Sequence, residues 1–326
     1  MPITKGRLFD TYKELDIRHK LAEVFKQFIF AEKKPNVSLK ERVRNTKVVE
    51  IFALPKKLNG ISDDAIYVGE NFAAVIDGVS SRSEVLSGML TPGTTTGSTA
   101  SAIIMETIKN FPHDIDKDKA IDTLTESISR FYKEHNFYEK AKHNPAERLA
   151  ATAVIYSKHR GEIWMIGDCQ CMVDDTLYTN TMLVDDTLTS MRAFVNEIEL
   201  RNGKTVKQLL DDDIGKKIIE PFIKQQKVFE NANFDSPFSY VDINGFPIDK
   251  SEVITVQIPQ DAKYIVLASD GYPELKPTLE ETEKTLKEII EEDPLCIRRF
   301  KSTKGVNKEK GYISFDDRSY LRLALE

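Results

Sequence analysis

Four apolar runs in this sequence lead into aspartates. Phe72-Ala-Ala-Val-Ile76 runs into Asp77-Gly78, and Ile163-Trp-Met-Ile166 runs through Gly167 into Asp168. Ile265-Val-Leu-Ala268 is followed by Ser269-Asp270-Gly271, and Tyr312-Ile-Ser-Phe315 by Asp316-Asp317. An acidic pair, Asp63-Asp64, opens the run that would pair with the first of these. One Asp-Gly after a strand reads as a turn, since both are ordinary turn residues. The recurrence reads differently. Buried strands deliver their last side chains to a common edge. Carboxylates gathered there repel, and each is pushed toward protonation unless a cation neutralises it. Mg²⁺ and Mn²⁺ take hard oxygen ligands of this kind. The chemistry indicated is a carboxylate metal site.

The elements that would position these residues follow from periodicity. Strands are expected at 48–54, 65–68, 72–76, 151–156, 162–166, 264–268 and 320–325, with hairpin turns at Gly69-Glu-Asn and Lys158-His-Arg-Gly161. A further strand is expected to carry Tyr312 to Asp316. Apolar residues at helical spacing predict helices over 98–111, 118–133, 205–230 and 278–291, and a first amphipathic helix over 7–31. The near-repeat Met172-Val-Asp-Asp-Thr-Leu177 and Leu183-Val-Asp-Asp-Thr-Leu188 reads as two facing strands rather than a repeat architecture. Strand hairpins interleaved with paired helices predict helices packed outside antiparallel sheets. No Pro/Gly/Ser-rich linker interrupts the later part, so the expected organisation is a helical extension over 1–46 and one catalytic domain over 47–326.

Composition narrows the classes further. The 326 residues are 40% hydrophobic and 30% charged, ordinary for a globular chain. A net charge of −6 argues against nucleic acid as a partner, which calls for a basic face. No apolar run is long enough to span a bilayer, so no membrane partner is expected. Met-Pro-Ile-Thr-Lys-Gly shows no apolar leader, and Cys169, Cys171 and Cys296 make no disulfide framework. The expected compartment is the cytoplasm.

In their order, these motifs resemble the metal-dependent serine/threonine phosphatases of the protein phosphatase 2C family, from about Lys47 to the end. Ser62-Asp63-Asp64-Ala65 comes first, then Asp77-Gly78-Val79 and Ala151-Thr-Ala-Val154. Gly167-Asp168-Cys169-Gln170 is similar to the family's Gly-Asp-Ser-Arg turn. Leu267-Ala-Ser-Asp270-Gly271 is close to its second Asp-Gly motif, and Asp316-Asp317-Arg318-Ser319 to its final Asp-Asn motif. The chain reads as a divergent, bacterial-like member. The resemblance implies an α+β fold, an α-β-β-α sandwich of two antiparallel sheets flanked by helices. It implies two divalent cations, Mn²⁺ or Mg²⁺, with a possible third. Asp77 would bridge both and the Gly78 carbonyl would ligate one. Asp270 and Asp316 would complete the second cation's shell, Asp64 would hold water near the first, and Asp168 matches a third-cation position. The implied activity is hydrolysis of phosphoserine- or phosphothreonine-type monoesters by a hydroxide bridging the cations, on a phosphoprotein or a small phosphate ester. Asp64 and Asp77 are the catalytic candidates.

Three departures bear on substrate recognition. The family's phosphate-binding Arg position is Asn59 here, a His often found after the first Asp-Gly is Val79, and Gly-Asp-Ser-Arg is Gly-Asp-Cys-Gln. Arg82 is the leading replacement for the missing cation and Lys57 its rival, with Lys56 and Arg318 also in reach of the motifs. The alternative reading is a catalytically weak binding or regulatory module on the same fold. Gly93-Thr-Thr-Thr-Gly97-Ser-Thr99 lacks the Lys of a phosphate-binding loop, and Ser98 is expected to cap the helix that follows.

Overall fold

A computed structural model describes residues 29–31, 44–81, 84–232 and 235–326. Two sheets face each other. The first has the strand order β1 (Ile29–Ala31), β3 (Ala65–Val68), β4 (Phe72–Val79), β5 (Ala150–Ser157), β6 (Glu162–Ile166) and β9 (Ile254–Gln257). The second runs β2 (Thr46–Leu54), β11 (Arg318–Leu325), β10 (Tyr264–Ala268), β7 (Gln170–Val173) and β8 (Thr176–Tyr178). Every pairing is antiparallel except that of β1, which lies parallel to β3 at the sheet edge.

Alternation along the strands builds the layers. In β4, Ala73 and Val75 join the core between the sheets, while Phe72, Ala74 and Ile76 face a separate outer core. In β10, Ile265 and Leu267 point to the middle, and Val266 and Ala268 point outward. A strand buried on both faces must be apolar at every position, which is why these runs lack polar residues. The outer core of the first sheet is closed by α2 (Thr96–Lys109) and α3 (Lys117–Glu134), which follow the short α1 (Glu84–Ser87). A helix of the second half, α8 (Leu279–Glu292), covers the other sheet through Leu286 and Ile290. The architecture is an α-β-β-α sandwich, as expected.

Between β8 and β9 lie α5 (Leu183–Arg201), α6 (Val206–Asp211) and α7 (Ile214–Gln225), preceded in the chain by α4 (Tyr138–His143). Their small cores are separate from the sandwich core.

Several expectations need correction. Leu183–Leu188 is the first part of α5 rather than a strand facing 172–177, because Val184 and Leu188 continue to Arg192 and Asn196 at four-residue spacing along one buried face. The first copy instead makes its own hairpin, turning at Asp174 with φ 48°. Residues 312–316 are not a strand. Ile313 and Ser314 both donate to the Lys56 carbonyl, and only an isolated bridge from Tyr312 to Lys57 resembles sheet pairing. The 205–230 helix breaks at Asp212-Asp213, where the Asp213 side chain starts α7 afresh. Thr95, not Ser98, caps α2; Ser98 is the reciprocal member of its capping box. Most of the 7–31 helix lies outside the described residues, and 29–31, its expected end, is strand β1.

Candidate functional site

One end of the sandwich collects the aspartates. Asp77 stands inside β4, opposite Thr152 of β5, so the strand continues past the apolar run that introduces it. Asp168 follows the turn at Gly167, which links one sheet to the other through β6 and β7. Asp270 follows β10, whose last residue, Ala268, sits between Gln170 and Tyr320. Asp316 precedes β11, and Asp64 precedes β3.

The two Asp-Gly pairs owe their glycines to close packing rather than to turns. A Cβ on Gly78 would stand 2.2 Å from the Gly97 carbonyl oxygen and 2.6 Å from that of Asp63. On Gly271 it would stand 1.9 Å from the Asp317 carbonyl oxygen. Neither space accepts a side chain.

Asp317 ties the segments together. Its Oδ1 accepts from the Lys56 backbone N–H at 2.7 Å and its Oδ2 from that of Asp63 at 2.9 Å. Asp63 turns its own carboxylate to the hydroxyls of Ser80 and Thr95. Gln170, the departure from the phosphatase-like turn, donates to the carbonyls of Ser269 at 3.2 Å and Tyr272 at 2.6 Å, bracing the backbone around Asp270.

Burial and neighbouring charge raise four of these carboxyls above the usual range. Burial, then Asp64 and Asp270, push the Asp77 carboxyl well above the usual range. Asp270 is pushed up by burial and then by Asp168 and Asp316, and it accepts a hydrogen bond from Asp77. Asp64 is fully buried, and burial followed by the charge of Asp317 raises it to about 8. Its Oδ2 accepts from the Ser269 hydroxyl at 2.7 Å, whereas Oδ1 has no hydrogen-bond partner among the described residues. Asp168 is raised by burial although the Thr152 hydroxyl stabilises its charge.

Asp316 behaves differently. Lys56 Nζ lies 3.0 Å from its Oδ1, and Lys304 Nζ lies 3.1 Å from its Oδ2. Burial works against the carboxylate, yet Lys304 and Lys56 hold it down to about 2. A second buried network adjoins Asp168. There Lys227 meets Glu230 at 2.6 Å and Asp242 at 3.7 Å, and burial with Asp168 pushes Asp185 up to about 6.

The donor chemistry of Asp64, Asp77, Asp168 and Asp270 suits a hard cation: four carboxylates, each raised by burial and by a neighbouring carboxylate, with Asp64 Oδ1 unpartnered among the described residues. Among the described residues, however, no three His, Cys, Asp or Glu side chains stand close enough together to hold a metal ion as they are placed. Asp316 differs from these four, since both its oxygens meet ammonium groups.

Of the cations proposed for phosphate, Arg82 lies outside the described residues. Lys57 Nζ stands 5.5 Å from the centre of the Tyr312 ring, and Asn59 sits in a turn at φ 61°. Arg318 is buried against Glu283 at 2.7 Å. Lys56 is the lysine that reaches the carboxylates. Lys304 and Lys227 carried no motif, and only a distance in space could have found them.

No protein-family model matches the chain, and a search of curated proteins gives no match. Solved structures do match. A bacterial serine phosphatase is 13% identical, with a TM-score of 0.42 over 87% of this chain and 98% of its own. The Mycobacterium tuberculosis serine/threonine phosphatase PstP/Ppp is 14% identical, with a TM-score of 0.41 over 86% and 99%. A serine/threonine phosphatase from Staphylococcus aureus is 15% identical, with a TM-score of 0.41 over 90% and 100%. These three solved structures are of bacterial phosphatases.

Proposed function

We propose that this chain is a metal-dependent phosphatase acting on phosphoserine- or phosphothreonine-type monoesters, in a phosphoprotein or a small phosphate ester. The observation that carries this reading is that Asp64, Asp77, Asp168 and Asp270 lie toward one end of the sandwich, with Asp77 and Asp270 raised by burial and then by other carboxylates of the set. The motif order that resembles the protein phosphatase 2C family supports it. Asp77 and Asp270 would hold the cation, with the Gly78 carbonyl and Asp168 beside them. A divalent cation held there would supply positive charge to the phosphoryl oxygens and would lower the pKa of water toward neutrality.

The chain's own groups do the rest. Ser269 fixes Asp64 by one oxygen and leaves Oδ1 to accept a hydrogen bond from the attacking water. Asp63, bonded to Ser80 and Thr95, positions the segment that carries Asp64. Asp317 holds that segment to β11.

Manganese-stimulated hydrolysis of p-nitrophenyl phosphate, abolished by chelator, is the expected result. Asp77→Asn and Asp270→Asn should each lower kcat by more than the roughly 10- to 100-fold that outer-shell changes cost a metal site, while circular dichroism stays native. Near-normal turnover in either variant overturns the assignment.

The ion pairs on Asp316 favour a second reading, a weakly catalytic regulatory module on the same fold. Binding of a phosphopeptide without turnover, in protein that retains Mn²⁺, would select it.

A further inference from the structure

Asp316 is the position where the family resemblance calls for a cation ligand and the structure shows something else. Its two oxygens meet two different lysines, Lys56 from the loop after β2 and Lys304 from the loop after α8. Lys56 also lies 3.4 Å from Asp317 Oδ2. It lies 4.0 Å from Asp63 Oδ2 as well. The two ammonium groups together bring to Asp316 the double positive charge that one divalent cation would bring.

The lysines are built in rather than draped over the surface. The Lys56 backbone donates to Asp317, and its carbonyl accepts from Ile313 at 2.9 Å and from Ser314 at 3.3 Å. The ammonium is therefore launched from a fixed point. The Lys56 and Lys304 side chains are 25% and 22% exposed and that of Asp316 is 35% exposed, so both pairs are half-buried contacts that solvent screens only in part.

We propose that Lys56 and Lys304 take the place of a divalent cation at Asp316, so that this chain carries one cation fewer than the two-cation centre it resembles. The inference rests on the metal-dependent reading of the neighbouring aspartates. An ammonium cannot acidify water as a divalent cation can, but it supplies its charge at any metal concentration. The Asp316 side of the centre is thereby permanently neutralised, and the requirement for added metal falls on Asp64, Asp77, Asp168 and Asp270.

The test counts cations rather than turnover. Calorimetric titration of the full chain with Mn²⁺ should show a single equivalent in the wild type. The double variant K56Q/K304Q should gain a second, and Lys304→Arg, which keeps the charge, should not. Two equivalents of comparable affinity in the wild type, or an unchanged count in the folded double variant, overturns the proposal. If the double variant does not fold, Lys304→Gln alone decides. A new equivalent supports the substitution, and an unchanged count overturns it. Hydrolysis of p-nitrophenyl phosphate in the same samples separates the two readings. A cation gained on lysine removal without any hydrolysis upholds the substitution and sinks the phosphatase.

Discussion

Arg192 is a buried ionisable group and Asp77 and Asp270 are half-buried ones, and their surroundings differ in kind. Arg192, on α5, is fully buried. Its Nε and Nη2 donate to Asp213 Oδ2 at 2.9 and 2.7 Å, and Nη2 also reaches the Leu295 carbonyl at 2.8 Å. Nη1 donates to the carbonyls of Cys296 at 3.1 Å and Ser302 at 2.7 Å. A guanidinium has five N–H donors, and all of them are met. Asp213 meanwhile caps α7 through Lys216 N and accepts from Asn196. That knot is complete within the protein. At the other end, Asp77 and Asp270 are pushed up by burial and by neighbouring carboxylates, and Asp64 Oδ1 has no hydrogen-bond partner among the described residues. A satisfied ion pair holds a fold together, whereas carboxylates raised by burial and by their neighbours mark a candidate site.

Removing the guanidinium should have the largest effect on stability. Arg192→Ala leaves Asp213 and three carbonyls without their donor and should cost about 3–5 kcal/mol, a large part of the roughly 5–15 kcal/mol that holds a typical protein folded. Urea unfolding measures it. A loss below about 1 kcal/mol would mean that the knot is replaceable and that the contrast drawn here fails.

The aspartate centre should respond to pH in the opposite sense from an ordinary carboxylate pair. Asp64 is raised to about 8 in the folded protein, with Asp77 and Asp270 also raised. Between the usual carboxylate range and about pH 8, the folded state keeps protons that the unfolded state has lost, so stability falls as pH rises. In chelator, Tm should be several degrees higher at pH 5 than at pH 8. Mn²⁺ should recover the loss at pH 8, because a ligand bound only by the folded state stabilises it by mass action. A Tm that rises from pH 5 to pH 8 in chelator contradicts the mutual repulsion. Asp316, held down to about 2, adds nothing in this window.

The smallest effect should come from the same chemistry in water. Arg298 meets Glu197 at 2.5 Å, but its side chain is 64% exposed. Arg298→Ala should therefore change stability by no more than about 1 kcal/mol. Urea unfolding beside Arg192→Ala separates the two arginines, and equal losses would show that burial does not decide the difference.

Much of the scaffold was legible along the chain because it is written in local periodicity. β3, β6 and β10 fall where alternating or continuous apolar runs put them, and α2, α3 and α8 where four-residue spacing does. Asp64, Asp168 and Asp270 lie next to apolar strands for the same reason, whereas Asp77 lies inside β4. Where local pattern was ambiguous it misled. Leu183-Val-Asp-Asp-Thr-Leu188 copies a hairpin sequence almost letter for letter, yet it is helix, because its buried neighbours lie further along at Arg192 and Asn196. Tyr312–Phe315 has the composition of a strand but finds no strand beside it.

Sequence by itself determined which residues are apolar on which face and which carboxylates stand at strand ends, since both depend on spacings of a few residues. The partners of those carboxylates were decided by tertiary structure alone. Lys56 and Asp316 are 260 residues apart, and Lys304 approaches the other oxygen from a loop with no motif. Lys227 and Asp168 likewise come together only through the path of the chain around α5 to α7. A charge acts through space and not along the backbone. Whether an aspartate meets a lysine, a proton or a metal therefore depends on which distant segment the fold brings within a few ångströms of it.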